Sequence, residues 1–590
     1  MRLIKTSIDF LGSKSADDVV LLGSWCISEE MISQRKKYAT VHYHWDNRDK
    51  YNADYIFLTN LYEETLTKLS KLLNEIHNLN ENVNYWRIII GPWLRFFIDA
   101  IFDRYQCIKL AKKYGDFNAC NIFSYDLDNW IVTNFGEFYA DLISDEWNEV
   151  IFSECIKFQG LPFVQTDCLH VRPSREVKKT VNFSTDFKHW AKKIITTYSH
   201  FLTKHKKSIV FFAPYMPIAK YLKLNLKLQQ MPYSIDGIVI PSEFPRCHHM
   251  RSKLIQSNGG QTFEDFLSHQ IANFIPKIYL ENFMSTRSKV LKFLPSKPKA
   301  IFTSVGYQSD DIFKLWSAEQ KKNGTPLCIN QHGGHMGIGK INQTLDHQLS
   351  IASKFFSWGW ADESTSQVVK LPSIQLSGLR GVRQAPDGDI LHILSSLPRY
   401  FYCYYSIPVG GQFLSYLDNQ LKFFGSLSSS SIANLRIRLA TNNQLGYWDL
   451  NSYFALEGYS KYVDQSNRNL WSLIENSRLC VCTHNATVFL QTLSRNFPTI
   501  VFWDKNLNEI SPEAQPFIDL LADAKILFYS PHEASAQVNS IADNVGDWWF
   551  SDQVQLARRL FCENYAVTST NWQKEWVDLL LNTRRFDEIF

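Results

Sequence analysis

The chain has 590 residues, too many for a single hydrophobic core, so two or more domains are expected. Hydrophobic residues make up 45% and charged residues 20%, which excludes a disordered chain, and a net charge of +4 excludes a protein that coats nucleic acid. The 11 cysteines are scattered and odd in number, and only Cys480 and Cys482 lie close together, so neither a disulfide framework nor a zinc site is expected and reduced thiols in a cytoplasmic protein fit best.

The N-terminal MRLIKTSIDFLGS lacks an apolar stretch followed by a small-residue cleavage site, so no signal peptide is read. Asp18–Ser24 (DVVLLGS) reads as a buried strand ending in a small-residue turn. Glu63–Ile76 places Leu66, Leu69, Leu72 and Leu73 at helical spacing. The most apolar segment, Ile88–Phe102, is broken by Pro92, Arg95 and Asp99 and is shorter than the roughly 20 apolar residues of a membrane span. The basic runs Arg175–Lys179 and Lys204–Lys207 fit a solvated face, or loose contact with an anionic membrane surface.

Ser208–Phe212, Ala300–Ser304 and Leu327–Asn330 are strand-like, and the last runs into a glycine-rich turn. After the polar stretch Gly378–Asp389, a second series follows: Ile390–Ser395, Leu435–Leu439, Leu479–Thr483, Thr499–Trp503 and Ile526–Tyr529. Helical segments separate these strands, the pattern of a compact Rossmann-like unit with a parallel sheet. Gln553–Leu581 is helical in pattern, and the serine run Ser426–Ser431 reads as a loop.

The predicted fold class is α/β, with two Rossmann-like domains facing a central cleft. The boundaries are 1–378 for an N-terminal Rossmann-like domain with helical insertions, 379–560 for a C-terminal Rossmann-like domain, and 561–590 for a helix packing back near the junction. Ligands of open α/β sheets sit beyond the carboxyl ends of the strands, so the strand-end loops carry the candidates.

The richest such loop is Asn330–Lys340, NQHGGHMGIGK. Gly333 and Gly334 let backbone approach a ligand closely, and His332, His335 and Lys340 offer donors to a phosphate or carboxylate. Gly334–Lys340 matches the start of a P-loop, but Ile341 stands where a magnesium-binding Ser or Thr is required. The second is Thr483–Thr487 (THNAT), where Thr483, His484, Asn485 and Thr487 lie between strand and helix and can meet an anion at the helix N-terminus, or simply cap it. The third is Gly23–Cys26 with His42–Arg48, where Asp46 lies between His44 and Arg48, suiting a base, a nucleophile or a structural ion pair. Arg87 is a candidate carboxylate or phosphate clamp. Asp311 follows another strand and can cap a helix or touch an acceptor, and Arg438 shares a strand face with Arg436.

Together LLGSWC, YHWDNR, YWRIIIGPWL, QHGGHMGIGK, FFSWGW (Phe355–Trp360) and the strand–THNAT–helix element resemble a bacterial family of O-antigen or surface-polysaccharide transferases first described from leptospiral genomes. That family is distantly similar to the retaining β-Kdo transferases of capsule and O-antigen assembly, GT-B enzymes using a CMP-activated ulosonic acid without metal in the transfer step. The resemblance implies a GT-B-like fold with an N-terminal acceptor and catalytic domain and a C-terminal nucleotide-binding domain, the nucleotide held through His484, Asn485 and Thr487, with Gln491 on the helix that follows; the strand-end reading adds Arg438 and the His332 loop as donor candidates. The resemblance places acceptor and catalytic groups in the N-terminal lobe: Asp46, His44 and Asp311 as catalytic candidates, and Ser24, Trp25, Arg48 and Arg87 for the acceptor or a carboxylate. Gln491 stands where the family pattern carries a glutamate, in Phe489–Leu490–Gln491.

The expected partners are therefore a nucleotide-activated sugar and a glycan or lipid-linked glycan acceptor, with peripheral contact at the cytoplasmic face of the inner membrane, no nucleic acid, no metal and no cofactor. A UDP- or GDP-sugar or a CDP-polyol donor, and a non-catalytic partner in polysaccharide assembly, are the alternatives. All of these readings need the turns around His332 and Asn485 to meet across one crevice.

Overall fold

The computed structural model of the chain describes residues 2–10, 19–27, 37–115, 117, 119–166, 208–232, 244–256, 259–361, 366–379, 381, 384–440, 446–466 and 468–581. The basic runs 175–179 and 204–207 and the C-terminal residues 582–590 lie outside them.

Among the described residues, fifteen strands form three five-stranded sheets, and every strand pairing is parallel. The first sheet comprises β1 (Arg2–Ile4), β2 (Val19–Leu21), β3 (Ala39–Thr40), β4 (Ala119–Phe123) and β5 (Phe163–Thr166), in the order β3-β2-β1-β4-β5. The middle sheet comprises β6 (Ile209–Phe212), β7 (Ala300–Thr303), β8 (Leu327–Asn330), β9 (Lys354–Ser357) and β10 (Val368–Lys370), in the order β10-β9-β8-β7-β6. The third comprises β11 (Asp389–Ile393), β12 (Leu435–Arg438), β13 (Ser477–Cys482), β14 (Thr499–Phe502) and β15 (Leu527–Phe528), in the order β12-β11-β13-β14-β15. The expected α/β class with parallel open sheets stands. Residues 1–378, read from sequence as one Rossmann-like unit, carry two sheets.

The apolar stretch Ile88–Phe102 is the middle of the helix Val83–Tyr114, which is buried on nearly every face. Its charges are retained by pairing: Arg95 Nε donates to Asp99 Oδ2 at 2.9 Å one turn on, and Arg104 Nη1 to Asp103 Oδ2 at 2.9 Å. The helix Arg48–His77 lies against it. Asn47 caps its start by accepting from the Lys50 N–H, Asn78 ends it in a left-handed conformation (φ 52°), and Leu58, Leu66, Leu69 and Leu73 form its buried stripe. Ser428, within the serine run read as a loop, caps the short helix Ser429–Ala433.

The C-terminal stretch divides into two helices with different partners. Asp552–Tyr565 packs on the third unit, against the helix Gln515–Asp523. The chain then crosses back, with Val567 N–H donating to Trp358 O at 2.9 Å, and the helix Trp572–Leu581 covers the middle sheet. There the Trp576 ring lies 5.6 Å from Phe302 and 5.2 Å from Phe356. The middle and third sheets turn the carboxyl ends of their strands towards a common cavity, so these two Rossmann-like units form the GT-B-like pair. The first sheet is an additional unit.

Among the described residues, no helix is long and apolar enough to cross a membrane.

Candidate functional site

A cavity of about 270 Å³ opens where loops from two sheets converge. From the middle sheet come His332–Met336 after β8, with Asn342 and Thr344. From the third come Ser395 and Leu397 after β11, Thr483–Thr487 after β13, Trp503, Asp504, Leu507 and Asn508 after β14, and Pro531 after β15. All of these follow the carboxyl ends of parallel strands, where open α/β sheets bind ligands. The turns around His332 and Asn485 therefore meet across one crevice. Their contact is direct: the Gly334 N–H donates to Thr487 Oγ1 at 3.3 Å. A Cβ on Gly334 would lie 2.5 Å from the Ala486 carbonyl oxygen, so glycine is needed for that approach.

The polar groups around the cavity fall into two sets. His335 is held by protein: its Nε2–H donates to the Ser406 carbonyl at 3.3 Å, and its Nδ1 accepts from Asn342 Nδ2 at 3.2 Å, which fixes one neutral tautomer. The Thr483 hydroxyl donates to Ile393 O at 2.9 Å and accepts from Tyr416 OH at 2.6 Å. In the second set are buried atoms with no protein partner: Nδ1 of His332, Nδ1 of His484, and both Oδ1 and Nδ2 of Asn485. Buried polar atoms ordinarily find hydrogen bonds, so their concentration beside one cavity marks a place for a polar ligand or ordered water.

Burial pushes the imidazole pKa of His332, His335 and His484 down to about 4 in each case. All three are neutral near pH 7. No Lys or Arg is found among the described lining residues, and the one carboxylate there is Asp504. Positive potential comes instead from the helix Thr487–Ser494, whose N-terminal turn abuts the cavity and whose N-cap is Ala486, with no side-chain acceptor for the free N–H groups. An anion entering here meets backbone dipoles and neutral imidazole N–H donors.

Several sequence candidates lie elsewhere. Lys340 is exposed outside the lining, and its backbone N–H donates to Glu509 O at 3.0 Å. Arg438, on β12, is outside the lining and pairs with Asp464 at 3.0 Å. Gln491 sits on the helix after the cavity turn but not in the lining. Asp311 is buried and saturated: it accepts from Tyr279 OH at 2.6 Å and Phe135 N–H at 2.8 Å, and pairs with Lys314 at 2.6 Å. That network makes it part of the core, and it does not line the cavity. Arg87 is held bidentate by Glu63, with Nη2 to Oε2 at 2.7 Å, on the wall of a separate cavity of about 60 Å³.

The N-terminal candidates do stand at the carboxyl ends of the first sheet, but the chain fills that crevice itself. The segment Leu397–Gln412, after β11, reaches across and plugs it. Ser24 Oγ donates to Gly411 O at 3.3 Å, and Arg399 Nη1 to the carbonyl of the buried Trp25 at 3.2 Å. Tyr400 OH donates to Asp145 Oδ1 at 2.6 Å, and Arg104 Nη1 to Phe401 O at 2.7 Å. Asp46 is exposed, outside the cavity, and accepts from Gln412 Nε2 at 3.2 Å. Arg48 clasps Glu509 bidentately at 2.7 and 2.9 Å and so ties the first unit to the third.

His44, buried, donates its Nε2–H to Asp103 Oδ1 at 3.0 Å, and burial lowers its pKa. With Cys107 these two form a group of metal-ligand spacing, ligand atoms within 4.8 Å of one another. Tyr43 OH and Arg104 already donate to the same carboxylate, and burial holds the thiol well above its ordinary range. The donor set therefore fits a buried hydrogen-bond network better than a cation site.

Two features of the cavity escaped the sequence reading. Asp504 follows β14 directly, in the same strand-end position as the loops singled out elsewhere. The aromatic run Tyr400–Tyr405 supplies Tyr402 and Tyr405 to the wall, and its helical or strand period is too weak to declare where it packs.

Among solved structures, the chain is similar to MurG of Acinetobacter baumannii at 13% identity, with 64% of this chain and 100% of that one covered and a TM-score of 0.35. It is also similar to WaaG, a glycosyltransferase involved in lipopolysaccharide biosynthesis, at 12% identity, with 63% and 99% covered and a TM-score of 0.27. The architecture above rests on this chain's own strands rather than on those two likenesses. No curated protein matches the chain. The model of the LIC12162 family transferases matches residues 1–580, and with nearly its whole length so matched the chain belongs to that family of transferases.

Proposed function

We propose that the protein is a GT-B glycosyltransferase that moves an acidic ulosonic sugar from a CMP-activated donor to a surface-glycan acceptor. The observation that carries this reading is the cavity between the middle and third sheets, where Nδ1 of His332, Nδ1 of His484 and the amide of Asn485 are buried without a protein partner beside an uncapped helix start. A helix N-terminus with free N–H donors suits the departing phosphate without a metal ion. The lack of lysine and arginine among the described lining residues favours a single phosphodiester over a diphosphate, because each added charge must be stabilised by dipoles alone.

Asp504 accepts hydrogen bonds from hydroxyls of the donor, the part Gln491 was expected to play. The acceptor hydroxyl must also lose a proton. In the free protein His332 is neutral with its pKa pushed down to about 4, too low for an efficient base. A bound phosphate and sugar carboxylate bring negative charge beside it and raise that pKa, so the donor itself turns the imidazole into the proton acceptor.

Calorimetric titration with CMP, CDP, UDP and GDP tests the donor: CMP binding tightest supports the reading, and tight UDP binding with CMP silent removes it. His332→Gln is expected to keep CMP affinity within a few-fold while slowing transfer by about a hundredfold.

A further inference from the structure

The helix Ile218–Lys227, which follows β6, has one face fixed to the protein and one face bare. Leu224 and Leu228 are buried with Phe211, Trp572 and Trp576 beside the middle sheet. Lys220 Nζ locks the helix further by donating to the carbonyls of Ile374 and Ser377, each at 2.6 Å. On the opposite side Ile218, Leu222 and Leu226 are 68%, 48% and 77% exposed. Spaced four residues apart, they form one outward stripe, which Tyr215 and Met231 extend at its ends. A contiguous apolar stripe on a rigid helix marks an interaction surface.

Charge identifies the occupant. Lys223 and Lys227 are exposed beside the stripe, and residues 208–232 contain no Asp or Glu. A second copy of this helix placed against the first would bring like charges together. A surface that is apolar below and negative above, as an anionic bilayer is, satisfies both the leucines and the lysines. The position is also informative. Tyr215, in the loop between β6 and this helix, packs its ring edge-on to His332 at 6.1 Å, and His332 lines the large cavity.

We propose that the helix Ile218–Lys227 docks the protein on an anionic lipid surface, with the leucine stripe in the interface and the cavity beside the headgroups. An acceptor carried on a lipid would then be presented where the transfer cavity lies. Docking itself does not depend on which nucleotide the cavity binds.

The test is co-sedimentation of the full chain with vesicles of phosphatidylcholine alone and of phosphatidylcholine containing a quarter phosphatidylglycerol. The protein is expected to pellet with the anionic vesicles, and less so as salt is raised. Leu222→Glu with Leu226→Glu should weaken that partitioning by about tenfold or more. Lys223→Glu with Lys227→Glu should weaken it by about tenfold and abolish the preference for anionic vesicles. Because all four side chains are exposed, thermal midpoints and CMP titrations of both variants should match the parent, which separates a failure here from a failure of the nucleotide reading. The proposal is overturned if the parent stays in the supernatant with anionic vesicles, if the leucine variant pellets equally well, or if sedimentation velocity shows the stripe joining two copies without vesicle binding.

Discussion

The backbone N–H of Gly334 and the hydroxyl of Thr487, 3.3 Å apart, join the end of β8 in the middle sheet to the first turn of the helix after β13 in the third. A methyl group on Gly334 would lie 2.5 Å from the oxygen and 2.7 Å from the carbon of the Ala486 carbonyl, and backbone cannot yield as a side chain can. Gly334→Ala should therefore cost about 1–3 kcal/mol of stability and at least about tenfold in nucleotide affinity. At the neighbouring Gly333 the nearest atom is 4.0 Å away, so Gly333→Ala should be close to neutral in both. Thermal melts and calorimetry on the two variants check this, and equal behaviour would refute the contact as the organiser of the cavity.

Asn485 should show effects of opposite sign on stability and binding. Both atoms of its amide are buried without a protein partner, and a buried amide that makes no protein hydrogen bond costs the fold free energy. Asn485→Ala is expected to raise stability by about 1 kcal/mol while weakening nucleotide binding about tenfold. A variant that melts lower and binds normally would show that the side chain serves packing alone.

The two aspartates divide the competing assignments of a substrate carboxylate. Asp504→Asn should lower nucleotide affinity by about tenfold or more, since an amide accepts hydroxyl hydrogen bonds less strongly than a carboxylate. Asp46→Asn, altered on an exposed side chain outside the cavity, should leave titrations unchanged. If Asp46→Asn abolishes binding and Asp504→Asn does not, the ligand is held at the first sheet.

Arg48 and Glu509 are mostly buried and doubly hydrogen-bonded, so removing one partner strands the other charge. Glu509→Gln should destabilise the protein by ~2 kcal/mol, between an exposed and a fully buried pair. In a double-mutant cycle with Arg48→Gln, a coupling energy near zero would mean that the two units are held together by other contacts.

Acid should destabilise the protein well above the carboxylate range. The imidazoles of His332, His335 and His484 have folded-state pKa values pushed down to about 4, below the ordinary 6.5. Between those limits the unfolded chain binds more protons than the folded one, so stability is fully present above about pH 6.5 and falls as the pH drops towards 4. Each group contributes on the order of 3 kcal/mol to that loss at the acid end. Melting midpoints measured from pH 7.5 to 4.5 check this, and a nucleotide that raises these pKa values should flatten the decline.

The third sheet was legible because its five strands are short, buried apolar runs bounded by turns, and each was placed within a few residues. The middle sheet was legible over β6, β7 and β8 but not β9, where the aromatic run Phe355–Trp360 stood out as a motif rather than as a strand. The first sheet was mostly hidden. Its edge strands β3 and β5 are two and four residues long with exposed side chains, so alternation has no room to appear. For the site, the strand-end rule picked out His332, Gly334, His484, Asn485 and Thr487, all of which line the cavity. Applied equally to the loops of the first sheet it also picked out Asp46 and Ser24, because local sequence does not announce that Leu397–Gln412, hundreds of residues away, occupies their crevice.

That plug has an outward face as well as an inward one. The stretch that wedges Tyr400 against Asp145 goes on to line the ligand cavity with Tyr402, Tyr405 and Ile407. The amino-terminal third of the chain is thus a clamp on one wall of a chamber to which its described residues lend no lining side chain. A shortened protein beginning at the middle sheet would keep the nucleotide turns yet lose the rigidity of that wall, and with it the shape on which recognition of the sugar depends.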